Sequence, residues 1–441
     1  MNTLDAAGPL KVMILSMEYT AEVSGGIGTH VVELAEGLIK AECQVSVLAY
    51  TPGQPKTIHG SNMTAHLISP STASFSHAEK QSMAGSILAF TGDLVRKGRE
   101  VIGKDGWAPD IIQCYNWLTF PAALELGRVH GIPVLSVIQY VSEPIERWWG
   151  QTPDQEILQQ EAVLFRDGEI FITVSNSMKK IIQSAYGVPG DRIHVVYNGM
   201  DSQPFIKPAS KPDLIRQLRQ TIAGPDEKVV IFAGRLNPHK GITALLDSAS
   251  QVIAKCQNVR YLLVGEADSR EFTQKIERLL DRYHGLRERT TLLGKVPRNQ
   301  LAALYQIADL ALVPSVYEPF GYASIEAMAA GVPVIATNAG GLGEIVQHKQ
   351  TGLLVTVHER TNEPHVVDVG ELVSAQLSLL EDAATARQLG HAGRRRVLDF
   401  FSREVMTQST LAVYREAISA YGSARSLHFP RRVAAEESAR K

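Results

Sequence analysis

The stretch Glu318-Pro-Phe-Gly-Tyr-Ala-Ser-Ile-Glu326 sets two carboxylates eight positions apart. Pro319 and Gly321 resist a continuous helix. From Ala323 to Ala330 the chain reads as helical, and Gly331-Val332-Pro333 ends the run. Glu318 is therefore expected at the mouth of a strand-to-helix loop and Glu326 inside the helix. The unpaired N–H groups of a helix start face an anion well, and a carboxylate on either side can grip hydroxyls. A phosphate flanked by two hydroxyl-rich groups fits this arrangement. Read alone, the same two carboxylates also fit ordinary stabilisation of a helix start.

A second charged constellation is Gly234-Arg235-Leu236-Asn237-Pro238-His239-Lys240-Gly241. It places two cations after an apolar strand and at a helix start, where the helix dipole disfavours positive charge unless an anion is present. A diphosphate resolves that conflict, with Arg235 able to bind in two-pronged fashion and Lys240 as a point charge. Two solvated basic residues at a turn are the plainer reading of this segment. In the first half of the chain, Gly25 and Gly26 follow a strand and open a helix, so their backbone N–H groups can approach a phosphate closely. Ser24-Gly25-Gly26-Ile27-Gly28-Thr29-His30 lacks the third glycine of a dinucleotide fingerprint, and Ala49-Tyr50-Thr51-Pro52 has no acidic residue for a ribose. Both absences disfavour NAD. The chain has no P-loop pattern and no Asp-x-Asp triplet, so no metal or other obligatory cofactor is expected.

The elements that must hold these groups alternate. Val12-Met13-Ile14-Leu15, the Gly-rich turn, a helix presenting Val31, Leu34, Ala35 and Leu38, and Val45–Ala49 form a β-α-β opening. Residues 53–80 read as irregular or lightly paired. Strands at 110–114, 133–138 and 170–174 follow, with helices at 81–99, 120–130, 154–166 and 178–185. The segment Asp201–Gly224 carries Pro204, Pro208 and Pro212 and reads as a domain connection. The alternation then restarts at Val229–Ala233 and continues to a last strand at 352–355. Two parallel-sheet domains facing a cleft are expected: 1–200, and 201–403. A terminal helix at 404–420 precedes a frayed, basic tail at 421–441.

The 441 residues, 44% hydrophobic and 20% charged, are enough for two cores. A net charge of -2 argues against bulk nucleic-acid binding. Cys43, Cys114 and Cys256 form no CxxC pair, so neither a disulfide framework nor a structural zinc site is expected, and a reducing compartment suits the chain. The first ten residues do not resemble a signal peptide. No run reaches about 18 apolar residues, so a spanning helix is not expected, although peripheral membrane contact is compatible.

Taken together, S-G-G-I-G-T-H at 24–30, V-S-N-S at 174–177, Y-N-G-M-D at 197–201, G-R-L-N-P-H-K-G at 234–241, L-V-G-E at 263–266, G-K-V-P at 294–297, the 318–326 stretch and G-V-P-V-I-A-T-N-A-G-G-L-G-E at 331–344 make the chain resemble a known family. These are the retaining glycosyltransferases of GT-B fold (family 4-like), which include bacterial glycogen synthases, sucrose synthases and phosphatidylinositol mannosyltransferases. The resemblance covers nearly the whole chain. It implies two Rossmann-like α/β domains, with the terminal helix crossing back onto the first. It implies that Arg235 and Lys240 neutralise a donor diphosphate, that Glu326 binds the ribose, and that Glu318 contacts donor-sugar hydroxyls. It also implies that backbone around Phe320, Gly321 and Tyr322 meets the sugar and distal phosphate, that Val296 and Arg298 line the base, and that Gly25 and Gly26 close from the opposite domain. By the same resemblance the donor is a nucleoside-diphosphate sugar, UDP-glucose first and GDP- or ADP-sugars next. The acceptor is then a saccharide or lipid-linked saccharide, handled in the cytoplasm or at the inner membrane face.

Two places depart from the family pattern. Gln139 stands where a histidine is common, and Asn116 replaces a carboxylate. Both bear on the acceptor side, where Trp148 and Trp149 are further candidates, either as sugar or lipid platforms or as packing aromatics. Three readings from other directions stay open: a storage-glucan or sucrose-type synthase, a catalytically silent sugar-nucleotide sensor, and an epimerase-like enzyme acting on a nucleotide sugar alone.

Overall fold

The computed structural model describes residues 8–19, 26–69, 83–207, 212–360 and 363–428. The first sheet comprises β1 (Lys11–Ser16), β2 (Gln44–Tyr50), β3 (Lys56–His59), β4 (Met63–Ile68), β5 (Ile111–Tyr115), β6 (Val134–Ile138), β7 (Ile170–Thr173) and β8 (Ile193–Val195). Its strand order is β3-β4-β2-β1-β5-β6-β7-β8. Only β3 runs antiparallel, against β4. Val12, Met13, Ile14 and Leu15 on β1 are all fully buried. An uninterrupted apolar run is what a strand covered by helices on both faces requires. The 53–80 region, expected to be irregular or lightly paired, supplies β3 and β4, with β4 in parallel register on β2 (Val45 opposite Met63). Its polar composition reflects an edge: every residue of β3 is exposed.

The second sheet comprises β9 (Lys228–Ala233), β10 (Val259–Val264), β11 (Thr290–Gly294), β12 (Leu310–Val313), β13 (Val334–Thr337) and β14 (Leu353–Val355). All six strands are parallel in the order β11-β10-β9-β12-β13-β14. The two sheets with their covering helices form two Rossmann-like α/β domains that face a cleft, the GT-B architecture. The proline-rich connection is partly helical, with helices Gln203–Ile206 and Pro212–Ile222, because proline is tolerated in a first helical turn. Helices Val369–Glu381 and Ala383–Phe400 cover the second domain after β14.

The chain then crosses back beside its first crossing. Met200 and Ser402 form a parallel bridge, Met200 N–H donates to Phe401 O at 3.1 Å, and Arg403 N–H donates to Met200 O at 3.0 Å. Helix Arg403–His428 follows, and its Met406, Leu411, Tyr414 and Ala417 enter the first domain's core. That helix extends past the expected tail start at 421, since no proline interrupts it before Pro430.

Candidate functional site

Strand order fixes where a ligand can sit. In each sheet the connections reverse direction at one point, and the crevice outside the carboxyl ends of the two flanking strands is the natural binding place. In the second sheet those strands are β9 and β12. The turn after β9 carries Arg235 and Lys240, and the loop after β12 carries Glu318. In the first sheet the flanking strands are β1 and β5, which lead to the Gly-rich turn and to Asn116.

The second-domain wall is built by close backbone approach. Gly241 has φ +71°, and a Cβ there would lie 1.8 Å from Pro314 O. Val316 N–H also donates to His239 O at 2.8 Å, so the two loops are sewn together. Beneath the second loop, Gly340 at φ +61° leaves no room for a Cβ, which would stand 2.2 Å from Glu318 O. The result is a direct Lys240–Glu318 ion pair, Nζ to Oε2. Ser315 Oγ donates to the same oxygen at 3.1 Å. Lys240 has three donors in all. Asn237 caps the turn, its Oδ1 accepting from Lys240 N–H at 3.0 Å and its Nδ2 donating to Asp268 Oδ2 at 2.6 Å. Arg235, largely exposed, lies 3.9 Å from that Asp268 oxygen. The structure thus brings together Arg235, Lys240 and Glu318, and sequence reasoning overlooked their neighbours Ser315 and Asp268.

Gly321, at φ +120°, opens helix Tyr322–Ala330, with Phe320 buried beneath it. Glu326 is on that helix and nearly buried. Burial pushes its carboxyl up to about 7; nearby Arg298 opposes the rise and Glu33 adds to it. Arg298 Nε stands 3.8 Å from Glu326 Oε1, while its Nη1 donates to Glu33 Oε1 at 2.6 Å. The Arg298 side chain is therefore engaged with two carboxylates, and Val296 remains half-buried in the loop before helix Arg298–Ile307. The Tyr322 hydroxyl is buried with no hydrogen-bond partner.

Around Asn116 and Gln139 the first-domain wall is neutral. Asn116, at φ +49° and buried, accepts through Oδ1 from Gln139 N–H at 2.9 Å. Gln139 Oε1 accepts from Asn198 Nδ2 at 3.3 Å, and Asn198 Oδ1 lies 2.7 Å from His30 Nδ1. An amide oxygen cannot donate, so Nδ1 of His30 carries the proton and Nε2 is a bare acceptor, buried and unpartnered. Burial holds this imidazole down to about 4, so it is neutral near pH 7. The Asn116 side chain thus accepts from the Gln139 backbone, while the Gln139 side chain joins Asn198 and, through it, His30, residues of the Y-N-G-M-D and S-G-G-I-G-T-H segments. Gly26 begins helix Gly26–Lys40, and a Cβ on it would meet nothing within 4 Å. Gly25 lies outside the described residues.

Trp148 and Trp149 cross the cleft. Trp149 stacks on His239 with ring centroids 4.0 Å apart and planes 7° from parallel, and on Tyr140 at 5.6 Å. Trp148 packs against Tyr317 at 5.0 Å and His365 at 5.3 Å. Both rings are occupied by protein rings next to Lys240 and Glu318. On the far side, Ser175 Oγ donates to Pro319 O at 2.8 Å. Glu344 of the second domain caps helix Asn176–Tyr186 of the first, accepting from Asn176 N–H at 2.9 Å and Ser177 N–H at 2.8 Å. Among the described residues no group of three or more His, Cys, Asp or Glu is placed to hold a metal ion, and no helix is long and apolar enough to cross a membrane.

Residues 24–203 match Glycosyltransferase Family 4, and residues 215–396 match Glycosyl transferases group 1. An uncharacterized glycosyltransferase of Methanocaldococcus jannaschii is 28% identical over 415 residues, covering 94% of this chain and 100% of the relative. Sucrose-phosphate synthase from Thermosynechococcus elongatus superimposes with a TM-score of 0.78 at 24% identity, over 93% of this chain and 100% of that one. Anabaena HepE in complex with UDP and glucose does so with a TM-score of 0.72 at 20% identity, over 92% and 100%.

Proposed function

We propose that this chain, a GT-B-fold relative of the group 1 and family 4 glycosyltransferases, transfers a hexose from a nucleoside-diphosphate sugar to a saccharide or lipid-linked saccharide, with retention at the anomeric carbon. The observation that carries the reading is the Lys240–Glu318 pair at the switch point of the second sheet, with Arg235 beside it. A cation and a hydroxyl-gripping carboxylate held side by side match a diphosphate joined to a sugar. Glu326, deeper on the same helix, receives the ribose diol, and the backbone at Val296–Arg298 flanks the base. UDP-glucose is the donor we favour, in line with the UDP and glucose bound to HepE.

The chemistry is leaving-group stabilisation. The donor C1–O bond breaks toward an oxocarbenium-like state as Arg235, Lys240 and the N–H groups after Gly321 hold the departing diphosphate. The acceptor oxygen bonds to C1 on the same face, and its proton passes to the departing phosphate oxygen. Glu318 orients sugar hydroxyls. The cleft walls, tied by Trp149 and Glu344, exclude water. The neutral wall of Asn116 and Gln139 and the Trp148–Trp149 segment face the acceptor. We place the reaction in the cytoplasm, with an acceptor reached at the inner face of a membrane.

A panel of UDP-, GDP- and ADP-sugars in thermal-shift assays tests the donor, since a ligand of the folded state raises apparent stability. Product analysis with lipid-linked and soluble acceptors follows. UDP-glucose is expected to shift the transition most and to be consumed with an α-linked product. Binding without transfer to any acceptor would indicate a sensor, and product without an acceptor an epimerase. A sucrose-type synthase is the second reading, favoured by the overlap with sucrose-phosphate synthase; a phosphorylated sugar would then be the accepted partner.

A further inference from the structure

Glu33, in helix Gly26–Lys40, is a buried carboxylate at the domain junction bonded from three separate segments, and the donor-site reading leaves it unused. It is 1% exposed. It accepts from Arg298 Nη1 at 2.6 Å, Arg403 Nε at 2.7 Å and Asp201 N–H at 2.9 Å. Those partners come from the second domain, from the return crossing and from the first crossing, respectively. Arg403 is itself nearly buried and adds Glu36 at 2.7 Å. One carboxylate of the first domain therefore holds both chain crossings and one side chain of the second domain.

We infer that Glu33 and Arg298 are positioning residues that couple seating of the donor nucleoside on Glu326 to the relative placement of the two domains. This rests on the donor reading above. Arg298 is shared: one arm is bonded to Glu33, and its Nε, buried without a hydrogen-bond partner, stands 3.8 Å from Glu326 Oε1. Hydroxyls of a ribose bind best to an ionised Glu326. Burial opposes that ionisation, and Arg298 favours it. Met200 Sδ, 3.7 Å from Nη2, and the Phe205 ring also hold Arg298, but its charged partner from the first domain is Glu33, so its full bonding needs the first domain docked as observed. Nucleoside binding therefore favours the docked arrangement, and docking favours nucleoside binding by the same factor. The groups facing Glu326 are Arg298 and Tyr305 from helix Arg298–Ile307, Glu33 from helix Gly26–Lys40, and Tyr322 on its own helix. Tyr305 and Tyr322 are held well above their ordinary range by burial, so Arg298, Glu33 and Glu326 carry the charge balance.

The experiment is calorimetric binding of UDP and inorganic pyrophosphate to the full chain and to Arg298→Met, Arg298→Lys, Glu33→Gln and the double variant, across pH 6 to 8, with GDP and ADP added for the wild-type chain. Arg298→Met is expected to weaken UDP about tenfold and to move the rise of UDP affinity to higher pH. Pyrophosphate, which on the donor reading is held by Arg235, Lys240 and the N–H groups after Gly321 and not by Glu326, should change by less than about twofold. Arg298→Lys should recover part of the loss, and Glu33→Gln should weaken UDP in a way that does not add to Arg298→Met. Equal loss of both probes, simple additivity, or unchanged UDP binding overturns the coupling. If Glu33→Gln does not fold, the two Arg298 variants decide. A wild-type chain that binds pyrophosphate but none of UDP, GDP or ADP sinks the donor reading itself, whereas wild-type binding with unaffected variants sinks only the coupling.

Discussion

The two walls of the cleft handle polarity in opposite ways. On the second domain, charges face charges with donor capacity left over: Lys240 on Glu318, Arg235 near Asp268, and Arg298 between Glu326 and the first domain's Glu33. On the first domain, Asn116, Gln139, Asn198 and His30 close a chain of neutral hydrogen bonds among themselves. A wall of ions with unfilled donors is ready to exchange partners with an anionic ligand. A wall of bonded amides keeps its shape and offers a ligand neutral groups alone, the bare Nε2 of His30 among them. On the proposed function, charge capture belongs to one domain and shape to the other.

The largest effect that tests this division is loss of the cations. Lys240→Ala or Arg235→Ala should lower kcat/KM for the nucleotide sugar by roughly 10²–10³, the range for removing one donor from a developing negative charge. Steady-state kinetics with UDP-glucose reads this out. An unchanged kcat/KM in both variants would erase the distinction between the walls.

Next is Glu326→Gln, expected to weaken UDP by about 1.5–3 kcal/mol, the value of a hydrogen bond to a charged group. The wild-type pH dependence has two opposite parts. The Glu326 carboxyl is raised from 4.5 to about 7 in the folded chain, so its contribution to stability is full below 4.5 and is lost as pH rises through about 7. UDP affinity should rise over the upper part of that window, as the ionised acceptor forms. Titration calorimetry between pH 6 and 8 should show the slope in wild type and a flat profile in Glu326→Gln.

The first-domain counterpart is Gln139→Ala. It strands the buried Asn198 amide and should cost about 1–3 kcal/mol of folding stability, measured by denaturant unfolding. UDP affinity should stay within about twofold. A fall in UDP affinity as large as that of Lys240→Ala would mean that the amide wall also captures charge.

The same contrast explains what the sequence made legible. The second-domain groups sit in short local segments, so Glu318, Glu326, Arg235 and Lys240 could be singled out as candidates before any fold was known. Both sheets were legible from continuous apolar runs such as Val12–Leu15 and Val229–Ala233. The β3–β4 hairpin was not: β3 is an exposed edge with no apolar pattern, and polar residues interrupt the buried Ala65, Leu67 and Ile68 of β4. Helices Val369–Glu381 and Ala383–Phe400 were not among the elements assigned either; they belong to a region without chemical motifs. The first-domain network was illegible for another reason. Asn116, Gln139 and Asn198 lie up to 82 positions apart in sequence, and amides of this kind announce nothing until strand order brings them together. Nothing in the sequence singles out Glu33 from the other charges of its helix, and only the two chain crossings reveal it as a junction.

The smallest expected effect concerns the place where the walls touch. Trp149 lies flat on His239, one residue before Lys240, and burial followed by the charge of Arg235 holds that imidazole down to about 4. In Trp149→Ala the ring pair is lost, worth about 0.5–1.5 kcal/mol beyond its buried area, and the imidazole gains water. The His239 pKa should then climb back toward 6.5, leaving Arg235 and Lys240 as neighbours that still oppose its charging. Proton NMR titration of His239 reads this directly, and KM for UDP-glucose should rise about two- to tenfold with a smaller change in kcat. Trp149→Phe, which keeps a flat ring on the imidazole, should retain most of both values. If Trp149→Ala instead left His239 and KM unmoved while abolishing transfer to the acceptor, the indole would belong to the acceptor site, and the first domain would supply a binding platform as well as shape.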